Sequence, residues 1–158
     1  MSLIKTKQQI EDMREGGAIL AKILKELAQY AKPGITTNQI NKLAHELILK
    51  FGVKPSFLGY NGYPGVVCVS INEEAVHSIP SERLLKEGDL LKIDFGVVHK
   101  DLHTDSAVTV LVSSAGKVET LLRQGFGRAR DYSAKKKLMN VTREALYAGI
   151  SQARVGNT

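Results

Sequence analysis

The chain has 158 residues, 43% of them hydrophobic and 24% charged, which suits one globular domain with a core and excludes disordered and low-complexity proteins. Its single cysteine, Cys68, cannot form an internal disulfide, so a reducing cytosol is the default compartment. The polar stretch Lys5–Arg14 does not resemble a secretory leader, and no uncharged apolar run reaches the ~18 residues that a membrane span needs. We therefore expect a soluble cytoplasmic protein with no membrane partner.

The net charge of +6 is concentrated at one end of the chain. Residues 1–113 contain 13 Lys and Arg against 13 Asp and Glu, whereas residues 114–158 contain 9 against 3. A basic stretch of this kind could contact RNA or a ribosome, but a solvated loop and helix face is the favoured interpretation.

Two amphipathic helices are predicted first. Apolar residues recur at three- and four-residue steps through residues 7–31, and Pro33-Gly34 ends that helix. Thr36 or Thr37 then caps a second helix, which ends at Phe51-Gly52.

The pattern changes to short β-branched runs after the second helix. Residues 66–71 predict one strand, and the Gly-, Pro- and Tyr-rich segment Leu58–Gly65 before it predicts a structured loop. Two longer strands, Leu90–Val98 and Leu102–Val112, are expected to fold on each other around His99–Asp101.

A weak internal repeat appears when the sequence is shifted by 122 positions, because Pro33–Thr36 then lies on Val155–Thr158. The predicted last helix, Ala134–Ala153, falls on the first helix, after a polar stretch at 113–133. The repeat predicts a second structural unit of which this chain holds about the first two dozen residues.

The predicted hairpin carries two aspartates. Side chains alternate across a strand, so Asp94 points away from Phe95, and a two-residue turn at His99-Lys100 would place Asp94 directly opposite Asp105 with their Cβ atoms ~5 Å apart. Such a pair is destabilising unless a proton or cation lies between the carboxylates, and hard divalent metals prefer such oxygens. The alternative is a register shifted by one residue, with one aspartate at a solvated edge, and the spacing alone does not decide between them.

A second cluster suits a small apolar side-chain pocket. Tyr60, Tyr63 and Cys68 offer apolar, polarisable walls, and His77 could position or protonate a substrate. Tyrosines in the core, a buried small thiol and a structural histidine are the alternatives that the residues alone leave open.

These segments resemble one family. The features that carry the resemblance are, in order, Gly59–Pro64, Val67–Glu73, His77–Pro80, Asp94, and Asp105 eleven residues later. The family that they resemble is the type 1 methionine aminopeptidases. The resemblance covers about Lys5–Val112 and Leu138–Thr158.

The resemblance implies the α+β pita-bread fold, in which two pseudo-symmetric halves surround a dinuclear metal site. This chain would be the first half, an antiparallel sheet covered by helices. The family removes the initiator methionine from nascent proteins when the second residue is small, with two divalent cations (Mn, Fe, Co or Zn) per complete site. Carried over by position, the roles are metal ligands for Asp94 and the bridging Asp105, a catalytic substrate contact for His77, and walls of the methionine pocket for Phe57, Tyr60, Tyr63 and Cys68.

The remaining family ligands, one His and two Glu, belong to a second half, and no histidine follows Asp105 here. The expected organisation is a first αβ half at 1–112, a basic connection at 113–133, and the first helix of a second half at 134–158. The enzyme would then need a partner chain that supplies the missing half. The competing expectations are an inactive half-fold that binds nascent chains or ribosomal RNA, and a truncated product without an independent role.

Overall fold

The computed structural model describes residues 4–114 and 133–157, and within them the predicted order of helices and strands is confirmed. The chain divides into two units, Met1–Val118 and Glu119–Thr158. The elements are α1 (Lys7–Tyr30), α2 (Thr37–Phe51), β1 (Lys54–Pro55), a 3-10 helix (Tyr60–Gly62), β2 (Val67–Ile71), β3 (Leu90–His99), β4 (Leu102–Leu111) and α3 (Ser133–Gln152).

Both helices of the first unit begin with a capping box. In α1 the Thr6 hydroxyl accepts from the backbone N–H of Gln9, and the Gln9 side chain accepts from the N–H of Thr6. Thr36 and Gln39 repeat this arrangement at the start of α2. Of the two predicted caps, Thr36 is therefore the N-cap and Thr37 the first helical residue.

Four strands form an antiparallel sheet around β3. The strand β4 pairs along one edge of β3, and β2 and β1 follow each other along the other edge. The strand β1 was not predicted, because two residues that include a proline carry almost no strand signal. One face of the sheet is covered by α1, which packs on β3 and β4, and by α2, which contacts β1 and β2.

The core lies between this covered face and the two helices. Ile23 and Leu27 of α1, Ile40 of α2, and Ile93 and Phe95 of β3 are all fully buried there. The predicted alternation of β3 is confirmed, because Phe95 is buried and Asp94 is not. The apolar stripe of α1 is buried from Leu20 to Ala28, whereas Ile10, which the pattern also included, is exposed.

The helix α3 reproduces the local structure of α1, as the internal repeat predicted. It ends at Gln152, which is the repeat position of Tyr30. Each helix is followed four residues later by a glycine in the left-handed region, with φ of 88° at Gly34 and 96° at Gly156. The polar stretch predicted at 113–133 lies almost entirely outside the described residues. Among the described helices, none combines the length and apolarity that crossing a bilayer requires.

Candidate functional site

The face of the sheet opposite the helices, which we name the cleft face, carries several polar side chains of the strands. Asp94 and Gly96 alternate with the buried residues of β3 and therefore point to this face. The registers add residues from both neighbours: Cys68 lies opposite Asp94, and Asp105 opposite Gly96. Three strands thus contribute to one surface.

The hairpin between β3 and β4 turns one residue later than the sequence predicted. Lys100 and Asp101 occupy its central positions with φ of 49° and 61°, the left-handed pair of a type I′ turn. Asp94 consequently lies opposite Ala107, so the predicted direct pairing with Asp105 is wrong, and the alternative slip by one residue is wrong as well. Moving the turn by one residue moves each cross-strand partner by two, which leaves both carboxylates on the cleft face as diagonal neighbours.

Contacts with α1 favour this position of the turn. The Lys100 ammonium lies 2.9 Å from Asp12 Oδ1 and 2.7 Å from Glu15 Oε2, and His99 Nε2 lies 3.1 Å from the same Glu15 oxygen. Hydrogen bonds from Lys100 lower the pKa of both carboxyls. These contacts join residues more than 80 positions apart, and the hairpin sequence alone does not contain them.

Burial and the charge of Asp105 both act on Asp94. Burial raises the pKa of Asp94, and the charge of Asp105 and a hydrogen bond shared with that carboxyl raise it further, while His77 acts in the opposite direction. The folded chain therefore holds a carboxylate pair whose repulsion a proton or a cation would relieve.

A divalent cation fits this pair in charge and in ligand type, but the ligand set is incomplete. Two carboxylates supply hard oxygen ligands. Within residues 4–114 and 133–157, no group of three or more His, Cys, Asp or Glu side chains is placed to hold a metal ion. Asp94 and Asp105 can therefore form only part of a metal site.

A cleft of about 660 Å³ opens on the cleft face, and the seven residues predicted for the site all line it. They come from β2, β3, β4 and the two loops that flank β2. The predicted residues in its wall are Phe57, Tyr60, Tyr63, Cys68, His77, Asp94 and Asp105.

Left-handed residues give the Tyr-rich loop its shape. Gly59, Asn61 and Gly62 have φ of 81°, 48° and 80°, conformations that glycine and asparagine adopt at low cost. The Tyr63 hydroxyl then reaches the carbonyls of Val67, at 3.1 Å, and Ser78, at 3.0 Å. One tyrosine thus ties the loop to β2 and to the segment that carries His77.

The thiol of Cys68 lies against the same tyrosine. Burial raises the pKa of Cys68, the charges of Asp94 and Asp105 raise it further, and the hydrogen bond with Tyr63 lowers it. Burial and the bond to Cys68 raise the pKa of Tyr63 as well. Both groups are protonated at neutral pH, so they offer a neutral, polarisable wall.

His77 is exposed at the mouth of the cleft and has a left-handed backbone, with φ of 61°. The next residue, Ser78, is hydrogen-bonded to β2 through both of its backbone polar groups. Its carbonyl accepts from Val69 N–H at 3.2 Å, and its N–H donates to Ser70 Oγ at 3.3 Å. Strained backbone of this kind is often found at functional residues.

Sequence reasoning missed two polar residues of the cleft. His103 and Ser56 line it, and His103 Nδ1 lies 3.0 Å from Ser56 Oγ. The alternation of β4 contained a signal for the histidine, since His103 stands two residues before Asp105 and so points to the same face. Ser56 carried no such signal, because β1 was not predicted.

The fold and the cleft indicate an α+β protein with part of a metal site next to an apolar pocket. Comparison with known proteins identifies the family. The model of metallopeptidase family M24 matches residues 11–158, and this chain belongs to that family. It is similar to methionine aminopeptidase 1 of Bacillus subtilis, with 40% identity over 156 residues, which are 99% of this chain and 56% of the relative. It is also similar to the methionine aminopeptidase of Aquifex aeolicus, at 37% identity.

Solved structures agree. The methionine aminopeptidase of Thermotoga maritima has a TM-score of 0.80 and 35% identity, covering 98% of this chain and 55% of its own. Xaa-Pro dipeptidase of Bacillus anthracis, at 22% identity and a TM-score of 0.61, shares the fold. The α+β pita-bread assignment is therefore confirmed. The chain spans about half the length of the curated relatives that it matches.

Proposed function

We propose that this chain forms the first half of a metal-dependent aminopeptidase that removes the initiator methionine from nascent polypeptides in the cytosol. One observation carries the proposal: the carboxylate pair Asp94 and Asp105 lies in the same cleft as an aromatic, thiol-containing side-chain pocket. A metallopeptidase that removes one apolar residue needs these two features side by side.

Asp94 and Asp105 would hold divalent cations from the set Mn, Fe, Co or Zn. Such cations lower the pKa of water and polarise carbonyl groups. We propose two cations per complete site. Carboxylates suit several of these metals, so the two aspartates do not select one of them.

The other cleft residues act on the substrate. Phe57, Tyr60, Tyr63 and Cys68 would surround the methionine side chain and exclude water from it. His77 would contact the substrate at the mouth of the cleft, where its left-handed backbone directs it. The carboxylates would also attract the protonated amino terminus of the peptide.

The proposed domain organisation is a first αβ half at 1–112, a connection at 113–133 and the first helix of a second half at 134–158. The repeat supports it, because α3 ends at the repeat position of α1 and is followed by an equivalent left-handed glycine. Leu138, Leu146 and Ile150 stand where α1 turns Gly16, Leu24 and Ala28 toward its sheet, so α3 carries the apolar stripe that a second sheet would cover.

The incomplete ligand set leads to the experiment. Hydrolysis of a Met-Ala-Ser peptide is measured with the 158-residue chain, with Mn²⁺ or Co²⁺, alone and mixed with a polypeptide corresponding to the remaining half of the Bacillus subtilis relative. We expect no release of methionine by the chain alone and metal-dependent release by the mixture, abolished by Asp105→Asn. A folded mixture that binds Mn²⁺ and releases no methionine would refute the proposal.

The absence of a third ligand among the described residues favours one second candidate, an inactive half-fold that binds nascent chains or ribosomes, the latter through the basic stretch at 114–137. Co-sedimentation of the chain with ribosomes in 100 mM salt tests it. Binding that is lost when Lys135, Lys136 and Lys137 are replaced by glutamine would support this candidate, and a chain that stays in the supernatant would exclude ribosome binding.

A further inference from the structure

One cleft wall depends on a close approach of the chain to the sheet at Gly96. The strand β2 pairs with β3 up to Phe95, and β1 pairs from Val97 onward, so Gly96 lies at the junction of the two short strands. The Ser56 N–H donates to the Gly96 carbonyl at 3.0 Å, which continues the pairing of β1 by one residue.

The absence of a side chain at Gly96 creates space over this junction. A Cβ atom there would lie 2.9 Å from Ser56 Cβ and 3.0 Å from Cε1 of the Phe57 ring. Both distances are shorter than carbon atoms tolerate without displacement. Ser56 and the Phe57 ring therefore rest directly on the backbone of β3, in the space that a side chain would fill.

A hydrogen bond crosses β3 at this place. Ser56 comes from one edge of β3 and His103 from β4 on the other, and His103 Nδ1 lies 3.0 Å from Ser56 Oγ. Two strands that both neighbour β3 are ~9 to 10 Å apart. Ser56 lies beside Gly96, whereas His103 is the cross-strand partner of Val98. The bond therefore crosses β3 diagonally, and the missing side chain at Gly96 gives Ser56 room to approach His103. We name this arrangement of Ser56, Gly96 and His103 the β3 bridge.

The β3 bridge is next to both halves of the proposed site. Asp105 is the cross-strand partner of Gly96, and Phe57, a wall of the cleft, directly follows Ser56. Fixing Ser56 therefore fixes the position of the Phe57 ring relative to the carboxylates. A shift of that ring would change the width of the cleft rather than its charge.

We infer that His103 is a positioning residue that sets side-chain specificity: through Ser56 and over Gly96 it holds the Phe57 wall of the cleft, so that an unbranched side chain of methionine size is preferred over a larger aromatic one. The inference rests on the proposed function. His103 acts through Ser56 and Phe57.

The test measures binding of two probes, L-methioninamide and L-phenylalaninamide, to the 158-residue chain by NMR titration at one fixed pH. The quantity of interest is the ratio of their affinities. Ser56→Ala and His103→Leu should lower the preference for L-methioninamide about tenfold, the size of effect that a poorly fitted apolar pocket produces. His103→Asn, whose amide can occupy the place of Nδ1, should retain the ratio.

His99→Leu is the matched control, because it removes a histidine of the same hairpin that contacts Glu15 of α1. Its ratio should equal that of the unchanged chain. Gly96→Ala should lower the ratio as well, and its near-ultraviolet circular dichroism shows whether the variant has kept its fold.

The outcomes separate the two proposals. If L-methioninamide shifts no signal of the unchanged chain, the methionine pocket is refuted together with the inference that rests on it. If it binds but His103→Leu and Ser56→Ala keep the ratio, the pocket stands and the inference is overturned. A ratio that falls equally in His103→Asn and His103→Leu also overturns it, because the hydrogen bond would then have no part in specificity.

Discussion

Asp94 and Phe95 are neighbours on β3, yet they belong to regions that follow opposite rules. Phe95 is fully buried among the apolar residues of the covered face. Asp94 lies diagonally from a like charge on the neighbouring strand, and burial and that charge raise its pKa. The covered face gains stability from close packing, whereas the cleft face retains a repulsive pair. Because side chains alternate, one strand can serve both purposes without compromise.

The largest effect is expected on the covered face. Phe95→Ala should lower the free energy of unfolding by ~3 to 5 kcal/mol, since it removes a fully buried ring and leaves a cavity. Urea denaturation of the 158-residue chain measures it. Phe95→Leu is the control and should cost clearly less. A loss below ~1 kcal/mol in Phe95→Ala would show that the two faces do not differ in this way.

The second-largest effect on the free energy of unfolding is expected at the turn between β3 and β4. Asp101 has a left-handed backbone, with φ of 61°, so Asp101→Gly should raise the free energy of unfolding by ~0.5 to 1 kcal/mol, because glycine adopts this conformation without strain. Urea denaturation measures this change too. Asp101→Ala should be destabilising, and equal stabilities of the two variants would argue against a type I′ turn.

A smaller stabilising effect is expected on the cleft face. Asp94→Asn should stabilise the metal-free chain at pH 7 by roughly 0.5 kcal/mol, because it removes a like-charge pair on neighbouring strands. Thermal unfolding in the presence of a chelator measures the gain.

The pH dependence gives the control. The pKa of Asp94 in the folded chain lies above its ordinary value of 3.8, so the folded chain takes up a proton before the unfolded chain does. The unfavourable charge is present above the folded pKa and disappears as the pH falls through it. The advantage of Asp94→Asn should therefore shrink between pH 7 and about pH 4. A gain that is constant over this range would mean that repulsion is not its cause.

The smallest effect concerns Cys68. Burial and then the charges of Asp94 and Asp105 raise its pKa, so alkylation by iodoacetamide at pH 7.5 should be slow. Asp94→Asn should speed it by less than the tenfold that one pKa unit represents. Asp101→Asn, which removes a carboxylate of the turn, should leave the rate unchanged, and an equal increase in both variants would point to loosened packing instead.

Local chemistry explains how much of the fold was predictable. The capping residue Thr36, the left-handed Gly52 and the alternation around Phe95 all act within a few positions, so the helices, the longer strands and the core could be predicted to within about a residue. The register of the hairpin could not, because lysine, which stands first in the turn at Lys100, is not typical of a type I′ turn and the sequence has no Asn-Gly or Asp-Gly pair to fix its position. The position of Lys100 there coincides with ion pairs to residues of α1 that are distant in sequence.

The cleft shows the same division. Motifs in the sequence predicted its aspartates, its tyrosines, its thiol and His77. The predicted pairing of β3 and β4 was wrong by two residues, and a shift of two keeps both aspartates on the same face of the sheet. Ser56 could not be predicted, because its place depends on a two-residue strand and on the space above Gly96. His103 could have been found from the alternation of β4 alone.

The two-residue turn also limits how this hairpin can change in evolution. One residue inserted within β4 between the turn and Asp105 would rotate that carboxylate into the apolar core, unless a bulge absorbed it. Two inserted residues would keep it on the cleft face but move it away from Asp94. The eleven-residue interval is therefore expected to resist insertions and deletions more strongly than it resists single substitutions that keep the two-residue turn.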